Sequence, residues 1–143
     1  MTIELGEGVL HRSAHDAQSV PEMPGMIFES VGPHRHAVNV GFHDSQMRQR
    51  AALIQTGWNG EQPGPYLSDD LVFRLIRSGA KLVGVDFDEV EEPARSNLLA
   101  ADIMVVERLR NLAAAPRVGF RFLATPLSAA AGLIRVRAFL ETI

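Results

Sequence analysis

The sequence predicts an α/β protein, and three observations carry that prediction. Between residues 51 and 143, short apolar runs alternate with segments of helical periodicity. Clusters of Gly and Pro separate several of these segments, as in Asn59–Pro65 (NGEQPGP). One run, Lys81–Val85 (KLVGV), follows a helical pattern directly and is apolar at successive positions, the mark of a strand buried on both faces.

Taken in order, Arg50–Thr56 (RAALIQT) reads as a short strand closed by Gly57. Ser68 offers an N-cap, with Asp69 and Asp70 in a first turn where the helix dipole favours anions. Leu71, Val72, Leu75 and Ile76 supply one apolar face, and Gly79 ends that helix. Asp86 closes the Lys81–Val85 strand, either facing a ligand site beyond the strand end or capping the following turn through Asp88 and Glu89. Pro93 and Ser96 are expected to open a longer helix reaching about Leu112, with apolar positions at Leu98, Leu99, Val105, Val106, Leu109 and Leu112. Arg108 and Arg110 would then suit its C-terminal dipole. Val118–Ala124 reads as a strand, and Ile134, Val136 and Ala138 alternate with Arg135, Arg137 and Phe139 in a last, half-exposed one. Pro116 and Pro126 are expected at element boundaries.

Residues 1–50 have a different texture, rich in His, Gly, Pro and Met, and expected to add strands and loops. The 143 residues suit a single domain, 1–143, in which 1–50 and 51–143 differ in character. With 46% hydrophobic and 22% charged residues, the composition excludes a disordered chain. A net charge of −3 gives no basic footprint for nucleic acid or an anionic membrane. There is no cysteine, which removes disulfides, thiolate metal sites and cysteine nucleophiles. The first ten residues, MTIELGEGVL, do not read as a secretory signal, and no apolar run approaches bilayer-spanning length. The expectation is a cytoplasmic protein acting on a small molecule, with no nucleic-acid or membrane partner.

All five histidines lie in residues 1–50. His11 and His15, at i and i+4, share one face of a helix or strand, and Asp16 follows. Two imidazoles and a carboxylate are ordinary ligands for zinc or manganese, and a solvated loop is the competing reading. His34 and His36 could share one face of a strand running through Ala37 to Val40, and His43–Asp44 is a further pair; exposed edge positions explain both as well. Glu107 interrupts apolar turns and is either at the boundary of a buried face or turned inward, where it would need a cation, donors or a metal. Phosphate-loop, dinucleotide and serine-elbow motifs are absent, and Trp58 and Tyr66 make no stacking platform.

Ordered blocks resemble one family. Ala52–Asn59 (ALIQTGWN) looks like the "vLirTGWd" strand of the cyclase family of metal-dependent hydrolases, which includes bacterial kynurenine formamidase (arylformamidase). Tyr66-Leu67-Ser68, a helix and Lys81–Asp86 (KLVGVD) resemble its "hPgLs…L…gvkLvGiD", and Phe122–Leu127 with Val136–Leu140 resemble "aLPLkl.g…pvRavl". Glu29–Pro33 resembles "leLvGPa", and His11–Gln18 resembles the H-x-G-T-H-x-D-x-P motif, with the aspartate one residue early and Gln18 in place of proline.

The resemblance implies the family's swivelling β/β/α fold in shortened form, in a dimer or larger homo-oligomer. It implies a divalent metal, zinc or manganese, held by His11, His15, Asp16 and Glu107, with His15 and Glu107 also catalytic and Glu107 carried on a long C-terminal helix. The family's helix histidine corresponds to Arg95, and its later acid/base histidine has no counterpart in Ala17–Val20. His34, His36 or His43 would have to fill those places. The strand preceding the metal motif is expected to be missing. The implied activity is hydrolysis of an amide C–N bond in a small molecule such as N-formylkynurenine, within tryptophan catabolism. The alternative is a non-catalytic member serving as a scaffold or small-molecule binding module, since a fixed arginine cation at a ligand position opposes a metal ion.

Overall fold

The computed structural model describes residues 1–13, 21–32, 35–130 and 133–143. Seven strands close into a barrel in the order β1-β7-β6-β4-β2-β8-β9. They are β1 (Thr2–His11), β2 (Glu22–Glu29), β4 (Ala51–Gln55), β6 (Leu82–Val85), β7 (Met104–Glu107), β8 (Phe120–Ala130) and β9 (Leu133–Thr142). Two short strands, β3 (Ala37–Val38) and β5 (Tyr66–Leu67), pair in parallel beside it. The helices are α1 (Asp44–Met47), α2 (Asp69–Ser78) and α3 (Ala94–Ala100).

Strands β2, β4, β6 and β7 run parallel to one another, while β1, β8 and β9 pair antiparallel, with one another and with β7 and β2. Every residue of β6 and β7 is buried, because one face fills the barrel and the other lies under helices. Leu53, Leu82 and Val106 point inward with Leu5, Leu10, Phe120, Phe122 and Leu140. Their chain neighbours Ala52, Ile54, Val83, Val85 and Val105 form a second core with Leu71 and Leu75 of α2 and Leu98 of α3.

Helix α2 forms where its sequence places it. Ser68 Oγ accepts from Leu71 N at 3.1 Å, and Gly79 stops the helix at φ 76°, a left-handed conformation that glycine adopts without a Cβ clash. The expected alternation of the last strand is also present, with Ile134, Val136, Ala138 and Leu140 buried and Arg135 and Arg137 exposed.

Four expectations need correction. The helix expected to reach Leu112 is only α3, Ala94–Ala100. The chain reverses through Asp102, at φ 59°, and Met104–Glu107 becomes β7, so Glu107 ends a strand rather than sitting on a helix. The β-branched pair Val105–Val106 is favoured on a sheet, where one side chain enters each core. The strand expected to be missing before His11 is present as β1, ten residues long. Of the strand expected to begin at His34 and reach Val40, the described residues form only Ala37–Val38, with Asn39 and Val40 outside it and His34 outside the described residues. Finally, Pro126 lies inside β8, not at its boundary. There β8 pairs with β9 alone, since its pairing with β2 covers only Phe120–Leu123, and the register shifts between Pro126 and Ser128. An edge with a bulge tolerates a residue that has no N–H.

Candidate metal and ligand sites

His11 is the last residue of β1, and Glu107 is the last of β7. The antiparallel register sets Val9 opposite Glu107 and His11 opposite Val105. His11 and Glu107 are therefore diagonal neighbours on one face of the sheet. His11 Nε2 donates to Glu107 Oε1 at 2.7 Å, and the side chains are only 12% and 4% exposed. The other carboxylate oxygen, Oε2, accepts from the amide of Val90 at 2.6 Å. Of the two readings open for Glu107, the structure takes the inward one, and it supplies the donors that a buried carboxylate requires.

His15, Asp16 and His34 lie outside the described residues. The Ser13 hydroxyl donates to Asp102 Oδ1 at 3.0 Å, beside the start of β7. His36 donates through Nε2 to the carbonyl of Ser30 at 2.6 Å, and the His43 amide donates to Gln46 Oε1 at 2.8 Å at the start of α1. Neither joins His11 and Glu107. Among the described residues there is no group of three or more His, Asp or Glu side chains able to hold a metal ion.

The match of Arg95 to the family's helix histidine rests on the expectation that it shares a helix with Glu107; Arg95 lies on α3 while Glu107 ends β7, so that match fails, and its guanidinium faces two carboxylates. Its Nη1 is 3.4 Å from Glu89 Oε1, and its Nη2 is 4.0 Å from Glu92 Oε2. The carboxyl of Glu92 is held below the usual carboxylate range, first by the Ser96 hydroxyl, then by the Ser96 amide, with smaller contributions from the charges of Arg95 and His11. Arg95 is thus partly neutralised by acidic neighbours, which weakens its opposition to a cation.

Asp86 takes the structural of its two readings, although it caps a different turn from the one expected. Oδ2 accepts from the amides of Thr56 and Gly57 at 2.8 and 3.0 Å, and Oδ1 accepts from the Thr56 hydroxyl at 2.6 Å. The carboxylate locks the end of β4 to the end of β6.

Beyond the carboxyl ends of β4, β6 and β7 lies an open cleft of about 610 Å³, bordered by Trp58, Asn59, Asp86, Arg108, Arg110 and Leu112 among others. In α/β proteins, barrels included, ligands gather beyond the carboxyl ends of parallel strands. Arg108 and Arg110 had only a helix-dipole role in the sequence, because the helix was expected to include them. Recognising Met104–Glu107 as a strand would have placed both at a strand end, where ligands bind.

No family model and no curated protein sequence matches the chain. Solved structures do. A potential metal-dependent hydrolase with cyclase activity superposes with a TM-score of 0.69 at 16% identity, over 94% of this chain and 77% of that one. A predicted metal-dependent hydrolase from Bacillus stearothermophilus gives 0.69 at 16%, over 94% and 75%. An isatin hydrolase bound to the product analogue thioisatinate gives 0.68 at 12%, over 93% and 70%. At such identities the likeness establishes the fold: the chain has the α/β, closed-barrel arrangement of cyclase-like hydrolase structures.

Proposed function

We propose that the protein is a metal-dependent hydrolase of the cyclase type, cleaving an amide C–N bond in a small molecule such as N-formylkynurenine. The observation that carries this reading is the buried His11–Glu107 pair at the β1–β7 corner. Support also comes from the fold, from the names of its structural neighbours and from the ordered sequence blocks.

The donor chemistry fits a divalent ion. An imidazole nitrogen beside a carboxylate oxygen is an ordinary donor pair for zinc or manganese. His11 Nε2 and Glu107 Oε1 already meet at 2.7 Å in a buried site. His11 and Glu107 would hold the ion, with His15 and Asp16 as the proposed further donors. When bound, the ion would lower the pKa of a coordinated water and polarise the scissile carbonyl. The chain's own residues prepare the site. The Val90 amide fixes the Glu107 carboxylate, which in turn orients the His11 ring. Burial of both side chains keeps bulk water from competing for them.

The second reading, a non-catalytic binding or scaffold protein, is favoured by the acid/base histidine that has no counterpart in Ala17–Val20. Metal analysis of protein purified without chelator separates the two, together with an amide-hydrolysis assay on N-formylkynurenine. The hydrolase reading expects near-stoichiometric zinc or manganese, a sharp loss of metal in His11→Ala and in His15→Ala, and turnover that follows metal content. Low metal content that neither substitution lowers further would leave the non-catalytic reading.

A further inference from the structure

The chain just after β7 is bent twice. Arg108 and Asn111 both adopt left-handed backbone conformations, at φ 67° and 62°. This region costs free energy for residues other than glycine, and such strain gathers at ligand clamps. The bend is firmly held. The amides of Arg108, Leu109 and Arg110 donate in succession to the carbonyls of Phe87, Val85 and Leu5, at 3.0, 2.9 and 2.8 Å. The result is a fixed rim on the cleft of about 610 Å³ beyond the sheet.

The polar groups of that cleft are unequally satisfied. Both oxygens of Asp86 are filled by Thr56 and Gly57. Asp88 Oδ1 is 2.9 Å from Arg108 Nε. Asn59 Oδ1 accepts from the Glu61 amide, and Gln55 Oε1 accepts from Arg117, so each amide side chain keeps its NH2 group for another partner. Arg110 lines the cleft and has no carboxylate partner among the described residues. Its aliphatic stem crosses Gly6, whose φ of 83° and missing Cβ leave room for it; a Cβ there would lie 3.2 Å from Arg110 Cδ. What the cleft has left to offer is therefore mainly donors. Leu109, Leu112 and the Trp58 indole add apolar surface, and the indole is anchored through Nε1 to the Glu61 carbonyl at 2.8 Å.

We propose that this cleft is a binding site for a small organic carboxylate, with the anion on the Arg110 guanidinium and the apolar body against Trp58 and Leu112. A planar guanidinium suits a carboxylate because the two form paired hydrogen bonds. The volume is that of a small-molecule pocket. The site uses neither His11 nor Glu107, so it stands whether or not the protein hydrolyses amides.

Trp58 is the sole tryptophan, so its fluorescence reports on the cleft. The full chain is titrated at constant ionic strength with benzoate, with neutral benzamide and with inorganic phosphate. Benzoate is expected to give a saturable change, with benzamide and phosphate weaker by about tenfold or more. Arg110→Gln should weaken benzoate about tenfold, and Arg110→Lys should restore only part of that loss because the fork is gone. Arg77→Gln, on α2, should bind as the parent does. No saturable change with benzoate overturns the proposal, as does equal binding of benzamide or an unaffected Arg110→Gln. Phosphate binding as tightly as benzoate would show an inorganic-anion site and overturn the organic part.

Discussion

The carboxyl ends of β6 and β7 are neighbours in the sheet, and each carries a carboxylate that is held differently. Asp86, just past β6, spends its oxygens on two amides and a hydroxyl of a single turn, Thr56–Gly57. Glu107, at the end of β7, gives one oxygen to the Val90 amide and the other to a histidine 96 positions away. A carboxylate filled by the donors of a turn has little left for a ligand. One whose partner is an imidazole, itself a metal-ligating group, can exchange that direct contact for a shared ion. The difference lies in the type of partner, since both residues sit where an α/β sheet collects ligands.

The largest test of this contrast is Glu107→Ala. It leaves the Val90 amide and the His11 ring without their acceptor in a site that is almost fully buried. The expected cost is about 3 kcal/mol, read from urea unfolding. Glu107→Gln keeps the shape and one acceptor and should cost about 1 kcal/mol; on the proposed hydrolase reading it also lowers metal content. A cost for Glu107→Ala below that of Asp86→Ala would break the comparison.

Asp86→Ala comes next. It removes the acceptor for three donors in a partly exposed position and should cost about 2 kcal/mol. Asp86→Asn should recover part of this. Metal content should match the parent in both variants, and its loss at normal stability would assign Asp86 a ligand role that its hydrogen bonds argue against.

The smallest effect concerns Glu92, near His11. Its folded-state pKa is depressed, mainly by the Ser96 hydroxyl. A depressed carboxylate pKa contributes stability that is present above the ordinary carboxylate range and lost as pH falls through the folded value. Ser96→Ala removes the largest cause, so the stability gap between parent and variant should shrink as the solution is acidified. Urea midpoints at neutral and acidic pH give the measurement, and a gap that widens on acidification contradicts the assignment.

Helix α2 was legible from local signals that agree, Ser68, the acidic first turn, Leu71, Val72, Leu75 and Gly79, although Ile76 of the expected apolar face is exposed. The stretch from Leu98 to Leu112 was not. Leu98, Leu99, Val105, Val106 and Leu109 are spaced well enough for a helix, and a short strand buried on both faces has no period of two to oppose that reading. Strand β1 was overlooked for a related reason. Its pattern is interrupted at Gly6, where the register shifts between Glu4 and Glu7. The candidate pair was visible as two residue types, His11 and Glu107, without its geometry.

By itself, the sequence determined the α/β class, the bounds of α2 and the alternating face of β9, all set by neighbours within a turn or two along the chain. It also supplied the chemistry of His11 and Glu107. Only the tertiary structure decided that these two meet, that Glu107 ends a strand, and that Asp86 is spent on a turn. Those outcomes depend on the antiparallel pairing of β1 with β7 and on the alignment of parallel strand ends. Barrel closure joins residues nearly a hundred positions apart, and such pairings leave no period in the chain to read.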